Sequence, residues 1–191
     1  MNGIRRGYCV MMACLCVACV EYTPKPRGYV RIEPEAAVYR LLDLPELPFL
    51  FEVSQVATLE LPEEQDTLLL FNLSYPSIHA KVYCSYLPIT RSSFPETEME
   101  SRYLVARLSA GALDRIQEKA YAHPEVRVFG SLFLLEGNSA SPIQFLLTDS
   151  ASHFLRGALY FDCRPNADSL APAIDYVRQD VIELMQTFRW R

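Results

Sequence analysis

The chain has 191 residues, half of them hydrophobic, with 18 Lys and Arg against 23 Asp and Glu and a formal net charge of −5. That length suits one domain burying roughly 70% of its unfolded-chain surface. The basic residues are scattered among acids, which excludes a phosphate-backbone binder built on clustered Lys and Arg. None of the seven glycines forms GxGxxG or GxxxxGKS, which excludes the common nucleotide-binding loops.

Residues 1 to 18 read as a lipoprotein signal peptide. Arg5 and Arg6 supply a basic start, without the rest of a twin-arginine motif, and Tyr8 to Ala18 supply a short apolar stretch. A spanning helix needs about 20 apolar residues, so this segment fits an export signal that is removed. Val17 and Ala18 then precede Cys19, the expected lipidation site, whose acyl chains would anchor the new N-terminus in a membrane. The pattern departs from the usual one in carrying Cys16 where a leucine is common, and Cys14 is the alternative site. Residues 19 to 28 form a short tether in which Pro24 and Pro26 favour extended chain. The domain, residues 29 to 191, is expected to sit close to the membrane.

Tyr29 to Ile32 is the expected first strand, and residues 35 to 44 a short helix or loop before Pro45 and Pro48. Phe49 to Val53, Val56 to Leu61 and Thr67 to Leu73 read as short strands. Ile78, Ala80, Val82, Cys84 and Tyr86 alternate with His79, Lys81, Tyr83 and Ser85, which predicts one buried and one wetter strand face. Residues 97 to 122, with Leu113, Ile116 and Ala120 at helical spacing, predict one helix or two broken near Gly111. Val126 to Leu135, a turn at 136 to 139, Pro142 to Leu147 and Phe154 to Cys163 predict an antiparallel meander. A final helix capped by Asp168 or Ser169, with Pro172 in its first turn, carries the stripe Leu170, Ile174, Val177, Val181, Leu184, Met185 and Phe188. The class is therefore α+β: a single domain with an antiparallel sheet and helices packed on one face, resembling the PsbP/Mog1-like architecture in element order.

Thr148, Asp149, Ser150, His153 and Arg156 gather hydroxyl, carboxylate, imidazole and guanidinium between two predicted strands. A hydrolase using Ser150 and His153 would need a third group to orient the base, and none is identifiable nearby. A structural or docking role is the favoured reading, because Asp and Ser at strand ends commonly satisfy turn backbone. Arg156 on a strand is expected to hold a carboxylate or carbonyls. No metal or cofactor is assigned, since His79 and His123 lack ligand partners in sequence. Tyr75, Tyr83, Tyr86, Phe71 and Phe94 read as core rather than as a peptide-binding surface. Cys84 and Cys163, the two cysteines outside the export region, could form a disulfide or remain apart, and spacing does not decide between them.

The segments Tyr22 to Tyr29, Gly137 to Ser141, Gln144-Phe145, Thr148 to Ser150, His153 to Phe161, Pro165-Asn166 and Asp168 to Pro172 resemble, in that order, the gliding motility lipoproteins of the GldD family in Bacteroidetes. The resemblance runs from the export signal to Trp190 and is densest in the C-terminal third. It implies an envelope lipoprotein, facing the periplasm, that serves gliding motility or type IX secretion as a non-enzymatic assembly or accessory factor. The implied partners are protein components of that machinery, with no nucleic acid and no small-molecule substrate. No catalytic residue carries over. A small-ligand-binding lipoprotein is the remaining alternative, to be recognised by a closed apolar pocket.

Overall fold

The computed structural model describes residues 38–61, 68–109 and 115–191. The export segment, Cys19, the tether and the expected strand at 29 to 32 lie outside the described residues, as do Gly111 and Leu113. Among the described residues two antiparallel sheets and two α-helices are built in the order β1 (Tyr39–Leu42), β2 (Phe49–Ser54), β3 (Thr58–Glu60), β4 (Leu69–Tyr75), β5 (Ala80–Pro88), α1 (Phe94–Leu108), β6 (Ile116–His123), β7 (Val128–Leu135), β8 (Ile143–Thr148), β9 (His153–Phe161), α2 (Ala167–Thr187) and β10 (Arg189–Trp190). The large sheet runs β3-β4-β5-β9-β8-β7-β6, and the small one runs β1-β2-β10. The α+β class and the β7-β8-β9 meander agree with the sequence reading.

Period-two alternation divides the residues of the large sheet between two cores. On its inner face Phe71, Leu73, Val82, Cys84, Phe145, Leu147, Leu155 and Leu159 join Phe49 and Phe51 of β2 and Val177, Val181, Leu184 and Met185 of α2 in one buried cluster. Four rings bind these layers together: Phe49 lies 5.6 Å from Phe71 and 5.2 Å from Phe188, and Phe51 lies 6.1 Å from each of the same two. Gly157 makes room for one more ring, because a Cβ there would drive into Phe145. On the outer face Phe133, Leu135, Leu146 and Phe154 form a second cluster with Val105 of α1. The expectation of helices on one face is thus corrected. The α2 stripe has enough apolar surface to seal the inner face together with the small sheet, and α1 buries only Ser101 and Val105 along its length, enough for a local lid outside.

The helix expected across 97 to 122 is also corrected. It ends at Leu108, and Ile116 to His123 pair instead with β7, from Ile116 opposite Leu135 to His123 opposite Val128. This edge strand is exposed along most of its length, so it shows no clean alternation, and its spacing of Ile116 and Ala120 imitates a helix. Residues 39 to 42, read as helix or loop, form a strand because β2 supplies a full antiparallel ladder. The cap of α2 is Asn166, whose Oδ1 accepts from Ser169 N–H at 3.3 Å, rather than Asp168 or Ser169. Pro172 consequently falls in the second helical turn, where it removes one i→i−4 hydrogen bond. Cys84 is buried and Cys163 exposed, and both are free thiols.

Asp180 is buried on the inner side of α2. Tyr39 donates to its Oδ1 at 3.0 Å, while Tyr75 and Ser54 lie beside it without a well-formed bond to Oδ2. Burial raises its pKa, against the lowering effect of those hydroxyls. This polar contact ties β1 to α2 across the core.

Leu184 is 1% exposed in the middle of the inner core. Leu184→Ala is expected to cost about 2 to 5 kcal/mol, measured by urea unfolding, and a loss under 1 kcal/mol would place the α2 stripe outside the core.

Candidate docking face

The predicted site residues fall at the turn from β8 to β9, and the turn consumes most of them. Asp149 Oδ1 accepts from the backbone N–H groups of Ala151, Ser152 and His153 at 2.9, 2.7 and 2.9 Å. Thr148 Oγ1 accepts from Ser150 N–H at 2.9 Å and donates to the His153 carbonyl at 2.7 Å. Ser150 takes the left-handed conformation, with φ 62°, which a polar turn residue tolerates better than a bulky one. Burial raises the Asp149 carboxyl pKa, but the three amide donors and His153 outweigh it and set a net lowering. These are the features of a closed turn.

His153 and Arg156 do not meet. His153 points to the inner face, where its Nδ1 lies 2.8 Å from the Tyr86 hydroxyl and its ring stacks on Trp190 at 4.9 Å between centroids. Trp190 is held there because β10 pairs with β2 and Arg191 forms an ion pair with Asp43. No hydrogen bond joins Ser150 to His153 among the described residues. Arg156, three residues along β9, projects to the outer face, where Nη2 donates to Gln144 Oε1 at 2.8 Å. Of the expected acceptors, a carboxylate or carbonyls, it is a side-chain amide carbonyl that the guanidinium meets. Among the described residues no group of three or more His, Cys, Asp and Glu is arranged to hold a metal ion.

The outer face beyond α1 presents a different surface. Across β4, β5 and β9 a depression of about 370 Å³ is lined by Leu70, Asn72, Tyr83, Ser85, Arg156 and Tyr160. A second, of about 460 Å³, continues past Tyr83 and Tyr160 to Ser74, His79 and Lys81. The two rings meet edge to face at 5.7 Å, and Tyr83 is 49% exposed. Lys81 Nζ lies 5.9 Å from the Tyr83 ring centre and bonds Glu60 Oε2 at 2.7 Å. The expected wetter face of β5 is this groove floor. Tyr75, Tyr86 and Phe71 are core as anticipated, whereas Tyr83 is the aromatic residue of that set turned to solvent. Sequence marks Tyr160 and Gln144 only as parts of the segments that carry the family resemblance, because only the β5–β9 register, Lys81 opposite Tyr160 and Tyr83 opposite Ala158, brings Tyr160 beside Tyr83.

A rigid sheet face carrying exposed aromatic rings and polar groups has the composition of a binding surface. The family follows from the sequence as a whole: the model of the gliding motility lipoprotein GldD family matches residues 19–190, and the chain belongs to that family. It is a gliding-motility-associated lipoprotein, which implies anchoring at a membrane of the cell envelope. No curated protein matches the chain. Among the described residues no helix is long and apolar enough to cross a membrane.

Because the folded state lowers the Asp149 pKa, its stabilising effect is complete above the unfolded carboxylate value of about 4 and is lost as pH falls through the lower folded value. Asp149→Ala is expected to cost about 1 to 3 kcal/mol at neutral pH, with the gap to the parent protein closing below about pH 4 in urea melts run across pH. A gap that is constant from neutral to strongly acid pH would remove the charge-assisted turn from the account.

Proposed function

We propose that the protein is a non-enzymatic accessory lipoprotein, freed of residues 1 to 18, anchored through Cys19 and facing the periplasm. There it would support assembly of the gliding and type IX secretion machinery through protein contacts. The observation that carries this reading is the outer face of β4, β5 and β9, which none of the described elements covers, with its exposed Tyr83 and the adjoining Tyr160. The polar residues that could have formed a hydrolase site, Ser150 and His153, are committed to a turn and to the Trp190 stack. The family match beginning at residue 19 supports Cys19 as the mature N-terminus. Domain limits of 1 to 18, 19 to 28 and 29 to 191 belong to the same proposal.

Cys19→Ala is expected to abolish incorporation of clickable palmitate, release the protein from membranes or retain its signal, and impair gliding or surface secretion. In contrast, Ser150→Ala with His153→Gln should keep these activities wherever the double variant remains folded by circular dichroism. A folded double variant that keeps its partners and loses gliding or secretion would favour the enzyme instead, and palmitate labelling that persists in Cys19→Ala would remove the anchor assignment.

A further inference from the structure

The outer-face groove holds a cation that has no ion-pair partner among the described residues. Arg156 has its Nη2 on the Gln144 amide oxygen, and its Nε is buried without an acceptor. Gln144 is 0% exposed, and its Nε2 also has no acceptor. No carboxylate of the described residues forms an ion pair with Arg156; Glu100 acts on it only through longer-range attraction. Lys81, further along the same groove, differs in being neutralised by Glu60.

A half-buried guanidinium is costly unless an anion meets it, and a neutral amide oxygen supplies hydrogen bonding without charge. The guanidinium fork suits one carboxylate, which it can hold by two parallel hydrogen bonds. Beside it, Tyr83, Tyr160 and Leu70 offer apolar surface, and Asn72 and Ser85 offer hydrogen bonds, a mixture that fits an extended peptide better than a polyanion. A polyanion would meet, among the described residues of the groove, one cation without an ion pair on a chain of net charge −5, and a second copy of the chain would meet the same surplus of acid.

We propose that this groove seats a segment of a partner protein that carries Asp or Glu, with its carboxylate on Arg156 and a neighbouring side chain against Tyr83 and Tyr160. The assignment rests on the reading of the protein as an accessory factor acting through protein contacts. It adds the chemistry of the partner and the residues that receive it.

The test uses the full-length lipoprotein in living cells, with p-benzoylphenylalanine in place of Tyr83, and identifies the photo-crosslinked segment by peptide mass spectrometry. The expected product is a segment of another envelope protein with Asp or Glu within three residues of the cross-link. Its yield should fall about tenfold with Arg156→Gln, the effect of losing about 1.4 kcal/mol of binding, and fall less with Arg156→Lys. Where Arg156→Gln lowers the thermal midpoint, the same loss is expected from changing the partner's acid to its amide. A cross-link to a second copy, to a segment without an acid, to no protein at all, or with a yield indifferent to both charge removals would overturn the proposal. Loss of gliding or secretion on gene deletion combined with any of those results leaves the accessory role standing and removes the groove. Gliding and secretion that survive deletion would instead remove the accessory role itself.

Discussion

The stacking of Phe49, Phe51, Phe71 and Phe188 is the contact on which the rest of the architecture depends. These four rings come from the small sheet, the large sheet and the residue following α2, so one stack of rings joins all three layers at the centre of the inner core. Burying them fixes which face of β2 and of β4 turns inward, since a one-residue slip would turn each inner side chain outward. It also fixes the end of the chain. With Phe188 pinned inside, β10 is delivered to the edge of β2 and Trp190 to the ring of His153. An imidazole that sequence offers as a catalytic base is thereby made part of the packing.

Sealing the inner face with α2 and the small sheet leaves α1 as the helix covering the outer one. Its contacts reach Phe133, Leu135, Leu146 and Phe154, on β7, β8 and the first part of β9. The strip across β4, β5 and the latter part of β9 is left open by the described residues. Arg156 stands at the boundary, with Gln144 buried on one side and the groove on the other. The same division of labour that stabilises the domain therefore generates a rigid, partly aromatic, cationic surface. It needs no loop rearrangement to be presented, as expected for contacts carried on strands rather than on mobile connections.

Much of this was legible in the residues because burial imposes periodicity. The alternation at 78 to 86 named the groove-facing side of β5, and the stripe from Val177 to Phe188 named the inner face of α2. Where burial is weak the signal failed. β6 is largely solvated on both faces, so Ile116 and Ala120 passed for helical spacing; β1 has four residues and depends on β2 for its conformation. The cluster from Thr148 to Arg156 stands out in sequence as polar residues between two strands, which suggests a structural or docking role. Sequence could not show that pleating sends His153 and Arg156 to opposite faces, with one absorbed by Tyr86 and Trp190 and the other left at a groove. Nor could it mark Tyr160, which acquires its position only from the β5–β9 pairing.

The central claim is that the open strip of the large sheet is a contact surface in the assembled envelope. Maleimide labelling of Tyr83→Cys, in a Cys163→Ser background that removes the exposed native thiol, tests it most directly, with Lys119→Cys on β6 as the reference. The account predicts rapid labelling of both positions in the purified lipoprotein, and strong protection of position 83 but not of position 119 in intact envelopes. Equal labelling of position 83 in the two settings would contradict it.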